Sequence, residues 1–334
     1  MERLHHIHAA FDDIVILFSG GKDSLVCLYL VKELYRQLGI DRQVKAAFKD
    51  DEFVPPDVCE FIERCRGLDW LDLKIYACAM PAGQFIMGMN REYVQWDENR
   101  EWLRPKPKGA FLGEPGKLYD QATLDEVMAG EGAGKVALMT GIRADESLMR
   151  YRSVVNKLNE NYINASSSLK FKMVKPIYDW SLDDVFKYIY DHDIPYCSIY
   201  DSQVHGQVNL RVSGPMHAEM AKRMPENARV HPEYYAKIFK IFPDVATQNR
   251  YGKSLDLDAA TLAISGSWGA IENWIVEHVD EGQALERCLK VLQTCQNMAK
   301  RQPQSYPLKY VARYFINGQV QSGHCRMIPP FKTR

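Results

Sequence analysis

Asp13-Ile14-Val15-Ile16-Leu17-Phe18-Ser19-Gly20-Gly21-Lys22-Asp23-Ser24 carries the strongest structural signal in the chain. Its first half is a short apolar run rich in β-branched residues, the pattern of a strand buried on both faces. The run breaks at Ser19-Gly20-Gly21, and the mostly apolar segment beyond it, ending in Lys32, Glu33 and Arg36, predicts a helix. Strand, glycine turn and helix in that order make an anion cradle. The glycines let the backbone come close to a ligand, and the first helical turn offers unpaired N–H groups and the positive end of its dipole. Lys22 adds a positive charge, and Ser19 and Ser24 add hydroxyls. Asp23 is the odd member, because a carboxylate beside a phosphate needs its charge offset. A Mg2+ ion held partly by Asp23 would do this.

Further along, Gln43–Phe48 predicts a second strand running into the acidic turn Asp50-Asp51-Glu52, and Pro55 opens a helix that reaches Arg66. Leu71–Tyr76 alternates apolar and polar residues, as a strand nearer the sheet edge does. Lys135–Thr140 and Lys172–Ile177 are the fourth and fifth strands. Strands alternating with helices predict an α/β fold with a parallel, doubly wound sheet of five strands. In the order 3-2-1-4-5, ligands sit beyond the carboxyl ends of strands one and four, where the order reverses. Ser19–Ser24 and Gly141–Arg150 then face each other across one crevice, although about 120 residues separate them. Arg143, just past the fourth strand, could grip a phosphate or sulfate bidentately. Glu146 could orient Arg143 or hold a metal, and Arg150 could add a second anion contact. The alternative for all three is ordinary surface helix charge forming i,i+4 pairs such as Glu146–Arg150. Ser181 with Asp184 three residues on forms a capping box, so Asp179, Asp183 and Asp184 have a structural explanation.

Residues 77–119 lose this periodicity and form a long insertion with Trp96, Trp102 and Arg104 in it. Trp102 and Arg104 could wall a substrate pocket, or the insertion could be a lid packed on the core. Beyond residue 200 the strand signals fade. Gly214–Met224, Pro232–Phe242, Leu285–Arg301 and Pro307–Ile316 predict helices, so a nucleotide-type α/β domain over 1–200 and a mainly helical region over 201–334 are expected. A formal net charge of −1 excludes the broad basic field of non-specific nucleic-acid binding. No apolar run approaches the roughly 20 residues that span a bilayer, and Met1–His6 lacks a secretory apolar stretch, so a cytoplasmic protein without a membrane partner is expected. The eight cysteines include no C-x-x-C pair. Cys288 and Cys295 share a helix face as core residues do, and His5, His6 and His8 read as a solvated terminus.

Ser19-Gly20-Gly21-Lys22-Asp23-Ser24 matches neither the Walker loop nor the dinucleotide fingerprint. It resembles at all six positions the pyrophosphate loop of the ATP pyrophosphatases, a superfamily that includes ATP sulfurylase, tRNA thiolation enzymes and, in altered form, sulfonucleotide reductases. Thr140-Gly141-Ile142-Arg143 with Glu146-Ser147, then Pro176–Val185 and Ile194-Pro195-Tyr196, resemble the phosphoadenosine-phosphosulfate (PAPS) reductase family in its order. The resemblance implies an adenine nucleotide alpha hydrolase-like fold, with ATP or PAPS as ligand, Mg2+ beside it and a small acceptor substrate. It also implies, more loosely, that Asp50 and Glu52 lie where such folds approach the adenosine. The C-terminal half resembles reductase-like proteins, some of them associated with a ParB-like partner, so a nucleotide-sensing or DNA-modification role with a protein or nucleic-acid partner is one alternative. The chain departs from the reductases in two ways. It lacks their late Glu-Cys-Gly-x-His segment and the iron–sulfur cysteine pairs that assimilatory adenylyl-sulfate reductases add, with Cys325 in Gly323-His324-Cys325-Arg326 the only late cysteine beside a histidine. No iron–sulfur cluster is therefore expected. Its loop is also intact, which favours cleavage of ATP between the α- and β-phosphates over reduction. A sulfonucleotide reductase with Cys325 as an unorthodox thiol is the other enzymatic alternative.

Overall fold

Eight strands and fifteen α-helices follow from this pattern in a computed structural model that describes residues 1–87, 89–130, 132, 134–155, 161–164, 168–205, 211–221, 223–251, 257–280, 282–323 and 325–331. The strands are β1 (Asp13–Leu17), β2 (Val44–Lys49), β3 (Leu71–Tyr76), β4 (Met80–Ile86), β5 (Met89–Gln95), β6 (Val136–Met139), β7 (Ile163–Asn164) and β8 (Phe171–Val174). A six-stranded sheet runs β3-β2-β1-β6-β8-β7. Its first five strands are parallel and have the expected 3-2-1-4-5 order, with Val15 level with Lys45 on one side and Leu138 on the other. The sixth, β7, is an antiparallel edge strand of two residues, too short to leave a periodic signal. The fifth parallel strand, expected to reach Ile177, stops at Val174, since Pro176 has no N–H with which to extend the ladder.

Successive residues of β1 serve opposite faces of the sheet, as a period of two requires. Ile14 and Ile16 join a core with α1 (Glu2–Ala10), α2 (Lys22–Leu38), α3 (Pro56–Arg66), α6 (Leu182–Asp191) and α7 (Ile199–His205). Val15 joins the other core with Leu138, Phe171 and Leu124 and Met128 of α4 (Gln121–Ala129). The segment Met1–His8, expected to be a solvated terminus, is largely α1, which buries Leu4 and Ile7 while His5 and His6 stay exposed. Ser181 caps α6 as expected, accepting from the Asp184 N–H at 3.1 Å while the Asp184 carboxylate accepts from the Ser181 N–H at 2.8 Å. A short helix, α5 (Leu148–Val155), follows β6.

The chain forms two compact units, Met1–Ala82 with Val94–Pro215 and Gly83–Tyr93 with Met216–Arg334. The division falls at Pro215, later than the expected residue 200, and α7 packs within the first unit. The insertion is not wholly irregular, because β4 and β5 pair as a two-stranded sheet. Pro81, Gly83 and the exposed run Asn90–Glu92 hide its alternation in the sequence. Within the second unit the hairpin is held by Arg91 on Asp244 at 2.6 Å and by the Met87 N–H on Gln248 at 2.7 Å. The second unit is helical: α8 (Ala218–Ala221), α9 (Met224–Val230), α10 (Pro232–Ile241), α11 (Pro243–Tyr251), α12 (Leu257–Ile264), α13 (Trp268–His278), α14 (Gln283–Arg301) and α15 (Leu308–Ile316). The single helix expected over 214–224 is instead the short α8 and the start of α9. Cys288 and Cys295 are buried in its core with Ile271, Ile275 and Phe315.

Candidate functional site

The turn after β1 needs its glycines for two reasons. Gly20 has a left-handed φ of 75°, and a Cβ there would lie 2.9 Å from the Val58 side chain. Gly21 starts α2 as its N-cap, with its N–H on Ser19 Oγ at 3.3 Å. Ser24 Oγ donates to the Gly21 carbonyl at 3.0 Å and accepts from the Ser19 N–H at 3.2 Å. The two serines therefore brace the loop itself. The N–H of Lys22, one of the orphan donors of the first helical turn, goes to the buried hydroxyl of Tyr200 at 2.9 Å. Burial pushes the Tyr200 phenol far above its ordinary range, so it stays protonated.

The loop after β6 closes on this turn. A Cβ on Gly141 would fall 2.5 Å from the carbonyl carbon of Asp23 and 2.6 Å from the Ser24 nitrogen, so only glycine allows the two backbones to touch. Two residues on, Arg143 is buried and places Nε 2.6 Å from Asp23 Oδ1. Its Nη1 holds both oxygens of Asp145 at 2.7 Å. Burial works against the guanidinium charge, but Asp23 and Asp145 outweigh it and raise Arg143 above its ordinary value. The other Asp23 oxygen takes Lys22 Nζ at 2.9 Å. The facing of Ser19–Ser24 and Gly141–Arg150 across one crevice is thus observed directly.

Lys22 and Arg143 each pair with one oxygen of Asp23 and so offset its charge within the chain. With both carboxylate oxygens engaged, and no cluster of three metal-ligating side chains among the described residues, these supply no all-protein cage for Mg2+, which usually binds through one or two carboxylates and substrate phosphates. A magnesium ion here would arrive on the phosphates of its own substrate. Glu146 accepts from the Arg143 backbone N–H at 3.2 Å and pairs with Arg150 four residues on, the i,i+4 contact of the alternative reading.

A cavity of about 540 Å³ opens between the two loops. Ser19, Gly21, Lys22, Asp23 and Ser24 line one side, and Gly141, Arg143, Glu146 and Arg150 the other. Leu17, Thr140, Ile142 and Leu182 also line it, as do Tyr200 and the segment Arg211-Val212-Ser213. Sequence reasoning missed these last four. Tyr200 lies just past the Ile194-Pro195-Tyr196 block and could have been suspected from it, but nothing in the pattern of 211–213 marks an anion site.

Asp50, Glu52, Trp102 and Arg104, the other expected substrate contacts, do not line this cavity. Glu52 is wholly buried at a left-handed φ of 67°, a conformation that persists in a non-glycine only when its surroundings over-determine it. Here Arg100 donates to both its oxygens, at 2.6 and 2.5 Å, while the N–H groups of Trp96 and Leu103 add 2.7 and 3.1 Å bonds. Asp50 takes Arg104 at 2.6 Å, and its carbonyl accepts from the indole of the buried Trp96 at 2.7 Å. Trp102 packs edge-on against Trp96, with its indole on the Asp97 carbonyl at 2.8 Å. These residues clamp the insertion to the acidic end of β2.

No cysteine lines the cavity. Burial pushes the Cys197 thiol up to about 11 and that of Cys27 higher still, and it also raises Cys325, whose neighbour His324 lies outside the described residues.

A parallel sheet of order 3-2-1-4-5 with a glycine turn and a cavity at its switch point is consistent with the adenine nucleotide alpha hydrolase-like fold. Residues 13–206 match the phosphoadenosine phosphosulfate reductase domain, and the chain belongs to that family. Among curated relatives, the Escherichia coli K12 uncharacterized protein YbdN is 26% identical over 215 residues, 59% of this chain and 52% of that protein. The adenosine 5'-phosphosulfate reductase of Staphylococcus haemolyticus is 36% identical over 78 residues, 23% of this chain and 28% of that enzyme. The chain thus matches about half the length of the first relative and less of the second. Among solved structures, Candida glabrata FMN adenylyltransferase in complex with FAD and inorganic pyrophosphate is 17% identical, with a TM-score of 0.36 over 56% of this chain and 50% of that one.

Proposed function

We propose that the chain is an ATP pyrophosphatase-type enzyme that binds Mg·ATP in the cavity between Ser19–Ser24 and Gly141–Arg150 and adenylylates a small acceptor. The observation that carries this reading is the Lys22–Asp23–Arg143 bridge, which joins the cations of both loops in one cavity. The β- and γ-phosphates would lie against Ser19–Ser24. An acceptor oxygen attacks the α-phosphorus, the bond from that phosphorus to the α,β-bridging oxygen breaks, and pyrophosphate departs with the electron pair. Lys22 and Arg143 stabilise the charge that builds on the phosphates, a positioning and electrostatic mechanism that needs no protein nucleophile. Sulfate, a nucleobase carbonyl awaiting sulfur and other small oxyanions are acceptors of suitable chemistry.

Family membership favours a second reading, a sulfonucleotide reductase. That chemistry needs an accessible thiolate at the nucleotide. The cavity lining has no cysteine, and burial pushes Cys325, the thiol that reading would use, away from the thiolate form, which supports the first reading instead. The discriminating experiment incubates the protein with Mg2+ and α-labelled ATP, with and without sulfate, PAPS and nucleic acid, and resolves AMP, adenylylated product and pyrophosphate. Equimolar adenylylated product and pyrophosphate supports adenylyl transfer. Thioredoxin-dependent sulfite release from PAPS, lost in Cys325→Ser, supports the reductase.

A further inference from the structure

Four cations line the cavity: Lys22, Arg143, Arg150 and Arg211. The first three have carboxylate partners, in Asp23, in Asp23 and Asp145, and in Glu146. Arg211 has no ion pair among the described residues, so its charge is the one that local carboxylates leave unbalanced. Its backbone is nevertheless fixed. The buried amide of Gln203, on α7, donates to the Arg211 carbonyl at 2.5 Å and accepts from the Arg211 N–H at 2.7 Å. A buried amide is stable only when its polar atoms are paired, and here both are spent on one residue of the strap.

The next residues locate the strap. The position of a Cβ on Gly21 lies 3.2 Å from the Val212 side chain and 3.3 Å from the Tyr200 hydroxyl. Gly214 comes so close to the Phe53 carbonyl that a Cβ would meet it at 2.9 Å. Arg211 is therefore adjacent in sequence to a residue that packs on the glycine turn.

We propose that Arg211 is a specificity residue for the polyphosphate end of the nucleotide, and that Gln203 is the positioning residue that presents it. The proposal rests on the functional reading above and deepens it. Arg211 supplies the charge for the extra phosphates of a di- or triphosphate, so that the site selects these over a monophosphate. A planar guanidinium suits bidentate contact with phosphate oxygens better than an ammonium.

The test is calorimetric titration of the parent, Arg211→Ala, Arg211→Lys and Gln203→Leu with Mg·ATP, inorganic pyrophosphate, AMP and sulfate. Arg211→Ala is expected to weaken Mg·ATP and pyrophosphate by roughly 10- to 100-fold, the range for a hydrogen bond to a charged group, and to leave AMP unchanged. Arg211→Lys recovers part of the loss. Gln203→Leu shows a similar loss, and the double variant loses no more than Arg211→Ala alone, the non-additivity of residues that act through one another. A purely structural Gln203 would instead weaken all four probes and add to Arg211→Ala, which overturns its positioning role. Parent-like binding of pyrophosphate by Arg211→Ala, or a loss confined to sulfate, overturns the proposal while leaving the functional reading intact. A parent that binds neither Mg·ATP nor pyrophosphate overturns both.

Discussion

Gly141→Ala offers the sharpest test of the contact between the two loops. The added methyl would sit 2.5 Å from the Asp23 carbonyl carbon, 2.6 Å from the Ser24 nitrogen and 2.7 Å from the Asp23 oxygen. All three atoms are backbone, in the first turn of a helix whose next turn packs in the core, so no rotamer change relieves the clash. Ordinary contact begins near 3.4 Å, and the loops must separate by about 0.9 Å to reach it. Overpacking of this kind costs roughly 1–3 kcal/mol. The same shift stretches the 2.6 Å bond from Arg143 to Asp23 to about 3.5 Å, the outer limit of a hydrogen bond. Urea denaturation is therefore expected to show a loss of about 1–3 kcal/mol, and calorimetry a loss of pyrophosphate affinity of about tenfold or more, since displacements near 1 Å at a binding site carry penalties of this size. Gly266→Ala, at a glycine with nothing within 4 Å, is the control and should change stability by no more than about 0.5 kcal/mol. A Gly141→Ala protein as stable as the parent, with unchanged pyrophosphate affinity, would refute the reasoning.

Three further outcomes follow from the same geometry. Asp23→Asn removes the internal anion that now occupies Lys22 and Arg143, so pyrophosphate should bind on the order of tenfold more tightly in the absence of Mg2+, equivalent to about 1.4 kcal/mol; titration in chelator checks this, and weaker binding counts against Asp23 as a competitor. Glu52→Gln leaves the Arg100 guanidinium without the charge it forks onto and should cost about 3–5 kcal/mol in denaturant, as breaking a buried pair does, while pyrophosphate affinity stays at the parent value; a selective loss of affinity would return Glu52 to the binding site. Tyr200→Phe deletes the acceptor of the Lys22 N–H and should cost about 0.5–1.5 kcal/mol of stability, with the deficit reduced in saturating pyrophosphate, where an anion oxygen can replace the hydroxyl; a thermal shift identical with and without the anion argues against that replacement.

The parallel sheet was readable because its signal is local and repeated. Short apolar runs such as Ile14–Ile16 and Val136–Met139, joined by apolar helices, leave one economical topology, and its switch point already pairs Ser19–Ser24 with Gly141–Arg143. The hairpin β4–β5 was hidden because proline, glycine and a polar run interrupt its alternation, and β7 because two residues carry no period. Asp50 and Glu52 were offered as adenosine contacts by the resemblance alone, and their pairing with Arg104 and Arg100 was not legible because those partners stand about 50 residues away in a segment with no periodicity. Arg211 escaped notice for the opposite reason. Its place depends on one buried amide and on glycine contacts that only the folded chain brings together.

Titration of Mg·ATP into the parent, Lys22→Ala, Arg143→Ala and the double variant decides whether the two loops form a single polyphosphate site. One Mg·ATP per chain should bind the parent, each alanine should weaken it at least about tenfold, roughly the worth of one charge-assisted contact, and the two losses should not add, because Asp23 couples the two cations. A parent that binds no nucleotide, or alanine variants that bind it as tightly as the parent, would contradict the account.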